Sequence, residues 1–248
     1  MSTFSRRIVI GVCSLLLLLI VSGFYFVLRP QGSSKTTLTR SSSAATTVRP
    51  TPTLQALFSE NFADNSQNWD VGNGPGYGSV IGNGALTMTG ANHKTFREPL
   101  PTSTSYSDFM ITISFTLLKG DQNDSVGLYL RATGDMGQGY YVDIYGNDTY
   151  DLAKVTVDAN QKAHTRYITE PASTSALHTK GLQNTLTIIM KGSNIILIIN
   201  DSVVRSVSDS EFTNGKITLF VENSSASSGV AASFDSVTVY AAPEQLPS

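Results

Sequence analysis

Residues 109–117 read Phe-Met-Ile-Thr-Ile-Ser-Phe-Thr-Leu, with Phe109, Ile111, Ile113, Phe115 and Leu117 on one side of a two-residue period and Thr112, Ser114 and Thr116 on the other. Successive side chains of a strand point to opposite faces, so this is a β-strand with one buried face, and a helix cannot present it. The alternation recurs upstream, where Leu86 and Met88 interleave with Thr87 and Thr89. It recurs downstream, where Ile217, Leu219 and Val221 interleave with Thr218, Phe220 and Glu222. Ile195-Ile-Leu-Ile-Ile199 is apolar on both sides, which predicts a strand within a stack rather than one with a wet face.

Gly/Asn/Asp clusters punctuate these runs: Gly120 to Asp124, Gly134 to Gly139, Gly146 to Asp148, Gly192 to Asn194, Asn200-Asp201 and Asn214-Gly215. Short strands broken at such intervals predict an antiparallel sandwich. Lys191-Gly-Ser-Asn194 and Asn200-Asp-Ser202 read as tight hairpin turns, because Gly, Asn and Asp tolerate the positive φ that these turns require. No helical periodicity and no internal repeat follows residue 57. The predicted β domain spans 57–242, with a short tail at 243–248.

The first part of the 248-residue chain is different in kind. After a tail at 1–7, Ile8 to Leu28 is uncharged and apolar, flanked by Arg6 and Arg7 on one side and by Arg29 and Pro30 on the other. At about 1.5 Å per residue this run reaches about 31 Å, enough for a single transmembrane helix. A cleaved signal peptide is the rival reading, since Val21 and Gly23 suit a signal-peptidase site; the apolar run, however, continues past it to Leu28. Residues 29–56 form a Ser/Thr/Pro-rich linker too polar to bury, which predicts a solvated spacer. The flanking positive charges nearly balance and do not set the orientation. The very short N-terminal tail and the Ser/Thr/Pro stalk favour a single-pass protein of the cell membrane with its C-terminal domain outside the cytoplasm. Signal-peptide cleavage would give a secreted protein instead. Cys13, the one cysteine, lies in the apolar run, so the domain has no disulfide.

Beyond residue 56 the chain carries 11 Lys/Arg against 19 Asp/Glu, a formal net charge of −8. That sign repels phosphate backbones, and no basic stripe offsets it, so nucleic acid is excluded as a partner.

Four stretches together resemble the concanavalin A-like lectin/glucanase superfamily, in particular bacterial domains similar to the 3-keto-disaccharide hydrolase-like group. They are Phe58 to Trp69, Gly139 to Tyr145 with Tyr150 to Leu152, Leu186 to Val204, and Phe234 to Val239. The resemblance implies an all-β jelly-roll sandwich of two antiparallel sheets, one of them concave, with carbohydrate as the commonest ligand. It also implies that the last stretch pairs back near the first. The glucanase branch sets its acids in a Glu-x-Asp-x-(x)-Glu run on one strand. Here Glu60, Glu98, Glu170, Glu211, Glu222 and Glu244 are scattered, so no catalytic residue is carried over.

One group of residues suggests a ligand site. Tyr129 and Arg131 share a face of Ser125–Arg131 by strand parity, and Tyr141, Asp143 and Tyr145 share a face of the next strand. If the two faces coincide on the concave side, aromatic platforms stand beside an Arg131–Asp143 pair, as in many sugar sites. The plainer reading is a cross-strand ion pair under structural tyrosines. Trp69, the single tryptophan, could serve as a sugar platform, but its place in the Asn65-Ser-Gln-Asn-Trp69 turn resembles a family position that plugs the sandwich end, which implies core packing.

His93, His164 and His178 lack partners at metal-ligand spacing, and no metal site or cofactor is predicted. Asp121 to Ser125 lacks the EF-hand glycine and reads as a solvated turn. The structural Ca²⁺ found in relatives of this fold, held by loop carbonyls and a residue like Asp235, has no support in the sequence. The readings that follow are a non-catalytic carbohydrate-binding or cell-surface interaction module, a hydrolase of sugar derivatives with acids from separate strands, and a structural or sensory ectodomain. A cluster of two carboxyls on the concave face would favour the second.

Overall fold

A computed structural model describes residues 54–133, 137–224 and 228–247. Among these there are fifteen strands and no helix, so none is long and apolar enough to cross a membrane. The expected span at 8–28 and most of its spacer lie outside the described residues.

Numbered in chain order, the larger sheet runs β13 (Ser202–Ser208), β12 (Asn194–Ile199), β11 (Gln183–Lys191), β6 (Phe109–Lys119), β15 (Val230–Ala241), β4 (Ala85–Gly90), β3 (Tyr77–Gly82) and β2 (Asn73–Gly74). The opening strand β1 (Ala56–Glu60) also pairs with β15, matching Phe58 to Val239 and Glu60 to Val237, so the chain closes next to where it opens. The smaller sheet runs β10 (Ala163–Ser173), β9 (Thr149–Val157), β8 (Gly139–Tyr145), β7 (Ser125–Ala132), β14 (Lys216–Glu222) and β5 (Thr95–Pro99). Every strand pair is antiparallel.

The period-two residues do what their pattern requires. Phe109, Ile111, Ile113, Phe115 and Leu117 of β6 enter the core, which also takes Leu86 and Met88 of β4 and Ile217, Leu219 and Val221 of β14. From β12 the core takes Ile195, Leu197 and Ile199, while Ile196 is buried outside it and Ile198 is half-buried. Both predicted turns are two-residue hairpins, Gly192-Ser193 between paired Lys191 and Asn194, and Asn200-Asp201 between paired Ile199 and Ser202. Asn200 and Asp201 adopt φ of 46° and 65°, the left-handed conformation that these residue types tolerate. Trp69 is in the core as expected, between the rings of Phe58 and Phe62. Its indole Nε1 donates to Glu60 Oε2 at 2.9 Å, while Glu60 Oε1 accepts from the backbone of Asn61 and Phe62.

Strand parity fails at Arg131. Along β14 the two steps from Lys216 to Thr218 match the three steps on β7 from Ala132 back to Tyr129, so β7 carries an extra residue. Arg131 has φ of 46°, and its side chain turns out of the Tyr129 face into one end of the sandwich, where it is 1 % exposed. There Nε and Nη2 donate to Ser107 O at 2.9 and 2.6 Å. Nη1 donates to Gly192 O and Phe212 O at 2.9 and 3.0 Å, and Nη2 reaches Asp108 Oδ1 at 3.3 Å. Gly215 makes the bulge sterically feasible, since a Cβ there would sit 2.3 Å from the carbonyl carbon of Arg131. The segment that carries Phe212 is tied down beside it: Asp209 accepts from Tyr140 Oη at 2.6 Å and pairs with Lys154 at 2.5 Å, and Lys154 also pairs with Glu211.

Because one guanidinium satisfies carbonyls from three loops, Arg131→Ala should cost about 3–5 kcal/mol in a urea-denaturation measurement on the full chain. Arg131→Lys, which lacks the planar fork, should recover only part of that loss. A loss under about 1 kcal/mol for the alanine variant would show that the end of the sandwich is held by something else.

Candidate functional site

The smaller sheet has one face on the core and one turned away from it, and the outward face carries the polar and aromatic residues. Cross-strand register arranges them in three rows. The first runs Thr218, Tyr129, Tyr141, Ala153, Tyr167 across β14, β7, β8, β9 and β10. The second runs Arg97, Phe220, Gly127, Asp143, Asp151 from β5 to β9. The third runs Thr95, Glu222, Ser125, Tyr145. Carboxyl groups are thus flanked by aromatic rings in the rows on either side.

The rows enclose a hollow of about 410 Å³, bordered by Tyr129, Tyr141, Asp143, Tyr145, Phe220 and Glu222 and closed on the β10 side by Thr165 and Tyr167. Gly127 has no room for a side chain, because a Cβ there would sit 1.9 Å from Val142 O and 2.8 Å from the Phe220 ring. Tyr129 packs against Tyr141 at 5.6 Å and edge-on to Phe220 at 5.1 Å between ring centroids. The Arg97 guanidinium lies 4.4 Å from the Tyr129 centroid, and its Nη2 donates to Tyr129 Oη at 2.8 Å.

Of the five residues singled out in the sequence, four meet here: Tyr129, Tyr141, Asp143 and Tyr145. Arg131 does not. The β7 bulge puts Ala132 beside Tyr129 and Phe220 instead, so the expected Arg131–Asp143 pair does not form. Arg97 does stand on this face, and it stacks on a tyrosine.

Asp143 has a carboxyl for its cross-strand neighbour, Asp151. Both are buried, at 4 % and 0 % exposed. Ser125 Oγ donates to Asp143 Oδ1 at 2.5 Å, and Tyr145 Oη donates to Asp151 Oδ2 at 2.8 Å. Asp151 Oδ1 is buried with no hydrogen-bond partner. Burial and then the neighbouring Asp151 push the Asp143 carboxyl well above the usual range, and burial raises Asp151 to about 6. Burial also lifts the hydroxyls of Tyr141 and Tyr145, so both rings are neutral donors.

Asp151 was accessible to sequence reasoning: Tyr150 and Leu152 are its inward neighbours, and the Gly146-Asn-Asp148 turn sets Asp143 opposite it. Arg97, Phe220 and Glu222 carry no such signal, because long-range sheet order alone brings β5 and β14 beside β7. Asp124, expected in a solvated turn, is buried; its carboxylate accepts from Asp121 N at 2.7 Å and from Asn223 Nδ2 at 2.9 Å. Asp235 accepts from Gln183 Nε2 at 3.0 Å. Among the described residues no group of three or more His, Cys, Asp or Glu could hold a metal ion.

Comparison with known proteins gives the family and the fold. The 3-keto-alpha-glucoside-1,2-lyase-like domain family matches residues 54–239. No curated protein matches by sequence. Similar solved structures include the carbohydrate-binding module CBM66 from Bacillus subtilis, at 21 % identity and a TM-score of 0.52 over 70 % of this chain and 95 % of that one. A glycoside hydrolase family 16 endo-glucanase from Bacteroides ovatus matches at 12 % identity and 0.57 over 74 % and 99 %. The kappa-carrageenase from Pseudoalteromonas carrageenovora, solved with an oligotetrasaccharide of kappa-carrageenan, matches at 12 % and 0.55 over 81 % and 99 %. At these identities the likeness is one of fold, the jelly-roll sandwich.

The carboxyl pair sets a pH dependence with a definite sign. A carboxyl whose folded pKa is raised stabilises the fold fully below its unfolded value, near 4, and loses that contribution as pH rises through its folded value. For Asp151 the loss falls between about pH 4 and pH 7, at roughly 2–3 kcal/mol. Asp151→Asn, an uncharged stand-in for the protonated acid, should flatten that part of a stability-versus-pH curve measured on the full chain. An unchanged slope would mean that the pair does not hold its proton.

Proposed function

The chain belongs to the 3-keto-alpha-glucoside-1,2-lyase-like domain family, and from that premise we propose that the outward face of its smaller sheet binds saccharide without cleaving it. The observation that carries the reading is the three-row pattern, which sets the half-buried rings of Tyr141 and Tyr145 and the exposed ring of Tyr167 beside hydrogen-bonding acids around one hollow. Rings offer flat surfaces to the C–H faces of a sugar, and carboxyl groups answer its hydroxyls. The Bacillus carbohydrate-binding module and the oligosaccharide-bound carrageenase of similar fold support the same ligand class. In this reading residues 8–28 hold the domain at a membrane, residues 29–56 space it from the surface, and the face is turned to glycans outside the cytoplasm.

A second reading, acid–base chemistry on a sugar derivative, is favoured by one observation: two carboxyls from separate strands, Asp143 and Asp151, lie side by side on this face. Against it, Asp151 is enclosed and bonded by Tyr145, and Glu222 Oε2 already accepts from Thr95 Oγ1. Only Asp143 and Glu222 border the hollow.

A glycan array on the full chain should give saccharide hits. Tyr141→Ala and Tyr167→Ala should each weaken the best hit by about 1–3 kcal/mol while the melting temperature stays near wild type. Core truncation at Ile113→Ala should instead cost about 2–5 kcal/mol of stability. If the tyrosine variants unfold, or leave affinity untouched, the rings are structural and the face is not the site. Conversion of a bound sugar that disappears in Asp143→Asn would move the assignment to the second reading.

A further inference from the structure

The hollow does not end at Tyr145 and Tyr167. A second depression of about 260 Å³ adjoins it where the strands give way to loops, and Tyr145, Tyr167 and Ser224 line both. Its remaining wall is of another character: Gln122 and Asn123 from the β6–β7 loop, Asn147 from the β8–β9 turn, Thr149 at the start of β9 and Pro171 of β10. Tyr141, Asp143 and Tyr145 alternate along β8 toward Asn147, so the two depressions follow one another along that strand. At about 3.3 Å per residue, the path from Tyr141 to Asn147 approaches 20 Å.

The outer depression is built to offer neutral donors. Asn147 Oδ1 accepts from the backbone N and the Oγ1 of Thr149, at 3.2 and 2.6 Å, which fixes the amide and leaves its NH₂ for a ligand. Asn123 O accepts from Ser224 Oγ at 2.6 Å, which ties the floor to the loop that Asn123 occupies. Tyr167 stands 42 % exposed on the edge strand β10, between the two depressions. No Asp, Glu, Lys or Arg side chain lines the outer depression, and the inner one has Asp143 and Glu222 on its border. An anionic sugar would find no Lys or Arg lining either depression.

We infer that the two depressions are successive subsites of one groove, and that its ligand is a neutral oligosaccharide longer than a single ring, held in the outer subsite by Gln122, Asn123 and Asn147. The inference rests on the saccharide-binding reading and adds the length and charge of the ligand to it.

The test is titration of the full chain with neutral gluco-, xylo-, manno- and fructo-oligosaccharides from mono- to hexasaccharide, alongside an oligogalacturonate series of the same lengths. Affinity for the neutral series that binds should rise with length. Gln122→Ala, Asn123→Ala and Asn147→Ala should each lower affinity for the longer members by about three- to tenfold, the effect of one hydrogen bond, and leave the shortest bound member unchanged. Gln122 and Asn123 are exposed and can be removed without disturbing the fold; Asn147 braces its turn, so its variant is read beside its melting temperature. Affinity independent of length, length-dependent affinity that the Gln122 and Asn123 variants leave intact, or tighter binding of the oligogalacturonates would overturn the inference while the saccharide-binding face stands. Binding of no saccharide by the wild-type chain would overturn that reading and this one together.

Discussion

Arg131 is enclosed at the end of the sandwich, and a buried guanidinium has donors that must all find acceptors. It finds them in the carbonyls of Ser107, Gly192 and Phe212, which come from three separate connections, two of them leading into or within the larger sheet. To reach them β7 has to insert a residue and turn its backbone left-handed at Arg131, and Gly215 must come close enough to allow it. That one accommodation sets two things at once. It fastens loops of both sheets at one end, and it withdraws a positive charge from the face that carries Tyr129. The site is therefore acidic and aromatic rather than charge-balanced, as a direct result of how the sandwich end is closed.

Removal of that charge gives Asp143 and Asp151 their character. Two carboxyls facing each other across adjacent strands, away from water and with no cation between them, cannot both ionise at low cost. Their partners, Ser125 and Tyr145, are hydroxyl donors that satisfy single oxygens without supplying charge. A core position free to vary for stability alone would be better filled by apolar residues. Local structure that costs stability collects at functional sites, where the same strain or desolvation serves binding or chemistry. The position of the pair on the outward face, beside the hollow rather than between the sheets, agrees with that expectation.

Much of the fold was legible in single residues and their spacing. Trp69 reads as a plug through the family resemblance, whereas the alternation at 109–117 specifies one face of β6 and the Gly/Asn/Asp clusters specify the turns. These are local relations, settled within a few residues. The candidate site was legible only in part, because strand parity locates Tyr129, Tyr141, Asp143 and Tyr145 until something breaks the period. A bulge is such a break, and nothing in Leu130-Arg131-Ala132 announces it; the cause lies in carbonyls some 20 to 80 residues away in sequence. The arrival of Arg97, Phe220 and Glu222 is likewise a matter of sheet order, which no local pattern carries.

The likeness to both a binding module and glucanases turns attention to what separates the two uses of one sheet face. Glycoside cleavage needs two carboxyls that reach the scissile bond from opposite sides, about 5–9.5 Å apart, each able to exchange a proton with substrate or water. Here the cross-strand pair Asp143 and Asp151 has only Asp143 on the hollow, because Asp151 is fully buried. One of them is sealed beneath a tyrosine hydroxyl. What the pair can do from that position is hold a proton and present Asp143 as a neutral hydrogen-bonding group to a sugar hydroxyl. Such a group binds a polyol without drawing in counter-ions. Under the saccharide-binding proposal, the acids on this face act as recognition groups, and the aromatic rows around them supply the surface for a sugar ring to lie against.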